Sequence, residues 1–302
     1  MRLLQLIELY SRVCKVYETK LIWHCVRHTK NARLPSFTDQ ELLTCYLFAT
    51  GWGAARDIVS AYRYMKHHYL DWFPELPSYQ AFNARLNRLA ACLPYLVEYC
   101  LDQWQRQAGN QFTNMLLGDS FPIITCGRKR KPKVATQWCD KGYCAMKNLY
   151  YYGVKVHLTA WEQCATLPIP AFISITPAST HDLSAQRHVL GCIKDKVFVA
   201  DRAYDSKDVR QSFEKAGGRI YTPKQTRHIA CQYSHTFGLA AEKMRAATIS
   251  SIRQPIETLI GWFVHHVDIQ RASKVRSVKG LMVHIYGKIA AAIFAQKLAT
   301  TF

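Results

Sequence analysis

The chain has 302 residues, 49% of them hydrophobic, which is enough for one sizeable core and a smaller second unit. Lys and Arg number 40 against 21 Asp and Glu, and the formal net charge of +19 departs from the balance of a typical metabolic enzyme and points to a polyanionic partner. Aromatic residues make up 12% and low-complexity basic tails are absent, which excludes a disordered nucleic-acid binder and puts the charge on a folded body.

The first twenty residues alternate apolar and polar positions at helical spacing, so they lack the uninterrupted apolar run of a signal peptide. No stretch is expected to reach the roughly 20 apolar residues of a membrane span. The eleven cysteines are scattered singly with no C-x-x-C pair, which argues against a disulfide framework and for a reducing compartment. Cys139 and Cys144, with His157, read as ordinary thiols beside a histidine and not as a zinc site. A cytoplasmic protein with no membrane partner is expected.

Residues 1–110 read as helical throughout, with breaks at Pro35, Gly51/Gly53, Pro74/Pro77 and Pro94. Thr38 and Glu41 form a capping-box pattern before DQELLTCYLFA. Ser78 caps a second helix, YQAFNARLNRLAACL, on which Asn83, Arg85, Asn87 and Arg88 oppose an apolar stripe of Phe82, Leu86, Leu89 and Leu93. That face suits a helix that reads a DNA groove, with Arg85 and Arg88 as contacts; an amphipathic helix with a solvated basic face has the same pattern.

From residue 112 strand patterns take over. NMLLGDSFPIITC holds Asp119 inside an apolar run, LYYYGVKVHLTAW alternates, and LPIPAFISITPAS is rich in β-branched residues. A helix follows from Thr180-His181-Asp182, then KVFVADRAYD, a short strand ending at Asp201, then SKDVRQSFEKA as a helix and RIYTP as a fifth strand. Asp182 and Asp205 read as helix caps. The order is β-β-β-α-β-α-β-α, an α/β arrangement. Helices resume near Leu239, Pro255 reads as a first-turn residue of the helix that carries Glu257, and Lys279–Leu298 reads as a final amphipathic helix.

A strand-interior Asp is disfavoured by propensity and costly to bury without a cation or donors. Asp119 and Asp201 at the ends of adjacent strands make an oxygen-rich site that suits Mg²⁺, with Glu257 as the third carboxylate and Glu242 as its competitor. A site of that kind holds two ions for in-line phosphoryl displacement. The run Arg128, Lys129, Arg130, Lys131 and Lys133 follows the first of these strands and would grip flanking phosphates. Lys155 and His157 alternate with Val154 and Val156 and would point together towards DNA. Tyr150-Tyr151-Tyr152 and Trp161 read as strand-packing aromatics or as stacking partners for an unpaired base.

GDSFPI, ADRAYDS and R-Q-P-I-E at the head of a late helix resemble the DDE transposases of bacterial insertion sequences. The resemblance implies a ribonuclease H-like five-stranded mixed sheet over 111–302 with C-terminal helices, and a helical DNA-binding region over 1–110. It also implies a magnesium-dependent (or manganese-dependent) endonuclease and strand transferase for DNA transposition and recombination. Asp119, Asp201 and Glu257 would be its catalytic and metal-binding carboxylates, with two ions between them. Arg253 matches the arginine of the family's Tyr, Arg, Glu and Lys pattern and would hold a DNA phosphate, while Ser250 and Val264 stand where that pattern has Tyr and Lys. The implied partners are double-stranded DNA, at the element's terminal repeats and at the target, and a second copy of the chain. The implied location is the bacterial nucleoid. A hydrolysis-only ribonuclease H-like nuclease or resolvase, or a non-catalytic DNA-binding descendant, would share these patterns.

Overall fold

The computed structural model describes residues 2–25, 35–109, 112–127, 134–144, 147–163, 166–223 and 232–299. Two compact units emerge: Met1–Arg106 with Lys131–Gln137 and Phe263–Phe302, and Gln107–Arg130 with Trp138–Trp262.

The first unit is helical. Its elements are α1 (Arg2–Val16), which continues through a π-helical turn into α2 (Ile22–Cys25), then α3 (Asp39–Gly51), α4 (Ile58–His68), α5 (Tyr79–Arg88) and α6 (Leu93–Ala108). Thr38 opens α3 with the expected capping box: its hydroxyl accepts the Glu41 N–H and the Glu41 carboxylate accepts the Thr38 N–H. Every residue from Leu42 to Gly51 is buried, because α3 is surrounded by α1, α4 and the chain's last helix.

The C-terminal helices belong to this unit and not, as the sequence implied, to the sheet. The segment expected to be an amphipathic helix is a core helix, assembled from α10 (Val278–Met282), a π-helical turn (Val283–Gly287) and α11 (Lys288–Ala299), in chain order after α7 to α9 below. Val278–Leu298 is also long and apolar enough to cross a membrane by length and composition, contrary to the reading of the sequence, but 72% of its apolar window is buried inside the protein. Its run of Ile, Ala and Phe packs on α3, and the close approach requires glycine at 287, where a Cβ would stand 2.6 Å from the Tyr46 ring.

The second unit holds a six-stranded sheet of β1 (Phe112–Gly127), β2 (Asp140–Cys144), β3 (Leu149–Gln163), β4 (Ile169–Pro177), β5 (Val197–Ala200) and β6 (Arg219–Tyr221). β2, absent from the sequence reading, shares one edge of β3 with β4. It pairs with Leu149–Gly153, while β4 pairs with Val154–Trp161. The remaining five strands follow the order β4-β3-β1-β5-β6, the first three antiparallel and the last two parallel to β1, which is the ribonuclease H-like arrangement. α7 (Asp182–Cys192) and α8 (Lys207–Lys215) cover one face over a cluster that includes Leu116, Leu190, Phe198, Tyr204 and Phe213.

α9 (Gln232–Val267) is longer than the sequence reading allowed, and Pro255 lies deep inside it and not in its first turn. Proline there leaves the Ser251 carbonyl without its intrahelical donor, a local defect that the surrounding packing tolerates.

Candidate active site

Asp119 lies in the middle of β1, preceded by the one residue that position allows. A Cβ at Gly118 would stand 2.3 Å from the Phe198 ring, so β5 can lay that ring across β1 only where β1 has no side chain. The parallel register then sets Gly118 beside Ala200. The next residues, Asp119 and Asp201, are lateral neighbours on adjoining strands, which lie roughly 4.8 Å apart. Asp201 is the first residue past β5, where its carboxylate accepts the Arg202 N–H at 2.6 Å and caps the short turn Arg202–Tyr204. The capping alternative for this Asp therefore holds together with its place in the site.

α9 brings Arg253 and Glu257, one turn apart on a single face. Arg253 Nη2 is 3.1 Å from Asp119 Oδ2 and 3.7 Å from Glu257 Oε1, and Nη1 is 3.8 Å from Asp201 Oδ1. The three carboxylates that the sequence singled out thus meet around one guanidinium. Glu242 precedes Glu257 by four turns of the same helix, roughly 22 Å along its axis, and is not part of this group.

Charge at the site is held against a cost. Desolvation pushes the Asp119 carboxyl up to about 6, opposed by Arg253 and by the Ser120 N–H it accepts at 2.8 Å, and reinforced by Asp201 and Glu257. Arg253 is itself buried, and its Nε has no hydrogen-bond partner among the described residues. Among the described residues no group of three or more His, Cys, Asp or Glu side chains stands close enough to hold a metal ion as placed. The donor set nevertheless fits a hard divalent cation, because it consists of carboxylate oxygens that already gather around a positive charge.

On the opposite face of β1 a second polar network lies beneath α7. The Ser120 hydroxyl donates to Asp182 Oδ1 at 3.1 Å, and Lys155 Nζ donates to the same oxygen at 2.9 Å and to the Thr180 carbonyl at 3.1 Å. His181, not Asp182, caps α7, with its ring accepting the Leu183 N–H. Tyr204 was missed by the sequence reading. Its buried hydroxyl has no hydrogen-bond partner among the described residues, and burial, together with the carboxylates of Asp182, Asp119 and Asp201, holds the phenol well above its usual range. Its only sequence signal is its position three residues after Asp201.

Several expected DNA contacts are placed elsewhere. Arg85 is buried, donating to Asp39 at 2.6 Å and to the Phe37 carbonyl at 2.7 Å, so it is a core ion pair and not a groove-reading residue. His157 is fully buried, bonded to Thr176 Oγ1 at 2.7 Å and pushed down to about 4 by desolvation. Lys155 is spent on Asp182 and the Thr180 carbonyl, so the pair does not point together towards a ligand. Arg88 is exposed. Arg128, Lys129, Arg130, Lys131 and Lys133 lie outside the described residues. Of the tyrosine cluster, Tyr151 is core and Tyr150 is exposed against Tyr143.

Comparison with known proteins adds a family to this geometry. No curated protein matches the chain. Among solved structures, the crystal structure of a pre-cleavage Mos1 transpososome aligns at 12% identity over 91% of this chain and 82% of that one, with a TM-score of 0.21. The family model described as the transposase DDE domain matches residues 111–294, which contain all of Asp119, Asp201, Arg253 and Glu257. Since that match spans more than half of the chain, the protein belongs to the DDE-domain transposase family.

Proposed function

We propose that the chain cleaves DNA at the ends of an insertion sequence and joins the freed 3′ end to target DNA, with Asp119, Asp201 and Glu257 as the carboxylates of the reaction centre. The observation that carries this reading is their convergence, from two strands and a helix, on the Arg253 guanidinium. Three carboxylates gathered around a buried cation are costly to maintain for stability alone.

The carboxylates would hold the divalent ions, with Asp119 in mid-strand beside Asp201, the first residue past β5, and Glu257 closing the group from α9. Two Mg²⁺ or Mn²⁺ ions bound there supply the Lewis acidity for an in-line phosphoryl displacement. Arg253 neutralises the carboxylates in the absence of metal, and its fork of donors is suited to a phosphate oxygen once it leaves them. The apolar strands that flank Asp119 keep bulk water from one side of the group. The partners of this reading are duplex DNA, as terminal repeat and as target, and a second copy of the chain; its place is the bacterial cytoplasm, at the nucleoid.

The test is the full-length protein on labelled end DNA with Mg²⁺ and a target plasmid. Joined end-to-target products support a transposase. Nicked ends with no joined product would make it a hydrolysis-only nuclease, and specific binding without any cleavage would make it a non-catalytic descendant.

A further inference from the structure

In the helical unit, away from the carboxylates, the start of α4, one face of α5 and the connection between α9 and α10 enclose a cleft of about 470 Å³. Five cations line it, Arg56, Arg271, Lys274, Arg276 and Lys279, against one acid, Asp57. All five are exposed, so their charge faces solvent. Asp57 does not answer them: its Oδ1 accepts the N–H and hydroxyl of Ser60 in a capping box at the start of α4. Among the described residues Arg271 reaches Asp268 alone, at 4.0 Å and with its own side chain 75% exposed. Arg276 is held in place, its Nη1 donating to the carbonyls of Ser273 and Val275 at 2.9 and 2.8 Å.

We infer that this cleft is a second DNA site, which binds the phosphate backbone of the duplex at a distance from the reaction centre. The inference rests on the reading of the protein as a DNA transposase. A lone small anion needs one or two convergent donors. Cations strung over nine residues of the connection and the first turn of α10, with Arg56 across the cleft, suit a polyanion that offers a charge at every step. The cleft wall also supplies neutral hydrogen-bonding groups, Asn83 and Asn87 on α5 and Ser277 before α10, of the kind that set register on phosphates. The exposed Arg88 follows Ala84, a lining residue, by one helical turn and would extend the same surface. The site is composite: it requires both the N-terminal helices and the C-terminal connection, so neither segment binds in full by itself.

The experiment measures duplex binding by full-length protein in EDTA, where no cleavage occurs, across a salt series. Three proteins are compared: wild type, Arg271→Gln/Lys274→Gln/Lys279→Gln, and a control triple of exposed cations outside the cleft, Lys15→Gln/Lys66→Gln/Arg106→Gln. The cleft triple is expected to bind about tenfold or more weakly near 100 mM salt and to lose about 2–3 from its log–log salt slope, clearly more than the control. Lysine acylation of the wild type, read by mass spectrometry, needs no variant: DNA should protect Lys274 and Lys279 but not Lys15 and Lys66. Equal losses in the two triples, or no protection at Lys274 and Lys279 on bound DNA, would overturn the inference. So would protection by inorganic phosphate alone, the mark of a small-anion site, or protection that grows with protein concentration without DNA, the mark of self-association. Failure of the wild type to bind any duplex would instead overturn the functional reading on which the inference stands.

Discussion

Arg253 Nη2 lies 3.1 Å from Asp119 Oδ2, a contact made across 134 residues of chain and the shortest of the three that the guanidinium makes with the candidate carboxylates. It joins the first strand of the sheet to the long helix, so it couples the fold to the site. Desolvation raises the Asp119 carboxyl to about 6 while Arg253 opposes the rise. Arg253→Gln should therefore move Asp119 further up, read by carboxyl carbon NMR, and cost about 1–3 kcal/mol through an unpaired buried acid. An unchanged or lower value would show that the guanidinium is not the carboxylate's main counterion.

The same geometry separates two candidates for the third acid. Asp119→Asn, Asp201→Asn and Glu257→Gln should each reduce Mg²⁺-dependent cleavage by roughly 10³-fold or more, a loss of about 4 kcal/mol in the barrier. Duplex affinity measured in EDTA should hold or rise, since each change removes a negative charge from a DNA-binding face. Glu242→Gln, four helical turns away, should leave cleavage within about threefold. Equal damage from Glu242→Gln and Glu257→Gln would remove the basis for naming Glu257.

Arg85 and Arg88 stand three residues apart with opposite surroundings, the first buried and the second exposed. Arg85 and Asp39 are an ion pair at 2.6 Å with both side chains only 10% exposed, so Arg85→Ala takes the cation from a buried carboxylate that keeps the Tyr17 hydroxyl, and should cost about 3 kcal/mol in urea unfolding. The DNA affinity of its folded fraction should match the wild type. Arg88→Ala should leave the unfolding midpoint in place and weaken duplex binding modestly. A DNA-binding loss in Arg85→Ala without a stability loss would reverse this assignment.

How much of this was legible in the sequence follows from what each residue depends on. Asp119 was legible because an acid inside an apolar strand is costly unless a cation or a set of donors stands beside it, and Asp201 because it ends a strand of the same kind. Arg85 and His157 were misread as ligand-facing because periodicity reports which face a residue lies on and not what that face packs against; Phe37, Asp39 and Thr176 supply the answer from distant segments. β2 was invisible: its residues, Asp-Lys-Gly-Tyr-Cys, have little strand propensity, and the edge of β3 organises them. α9 was cut short because Pro255 resembles a helix start, and only packing along its length carries the helix past it. The last helix was read as amphipathic because its few polar residues look like a face. Lys288 is in fact buried, with its ammonium donating to the Asp268 carbonyl at 2.9 Å.

Acid should unfold the helical unit through His284. This ring is buried, bonds the Ile269 carbonyl through Nε2 at 2.7 Å, and is pushed down to about 3, first by desolvation and then by Lys288. The folded ring stays neutral where the unfolded one, near 6.5, takes a proton. The unfolded state therefore binds more protons between those values, and stability is lost as pH falls from about 6.5 towards 3. At roughly 1.4 kcal/mol per pH unit the gap sets an upper bound of about 5 kcal/mol. His157, pushed down to about 4, adds in the same direction, whereas the raised carboxyl of Asp119 works against it below about 6. The difference between wild type and His284→Gln isolates one ring from the others, because the Gln amide nitrogen stands where the ring Nε2 does, retains a donor for the Ile269 carbonyl and cannot titrate. Thermal midpoints of the two proteins, followed from pH 7 to pH 4, should diverge, with the wild type falling faster. Parallel curves would mean that the His284 ring is protonated in the folded protein and that its burial is not what limits acid stability.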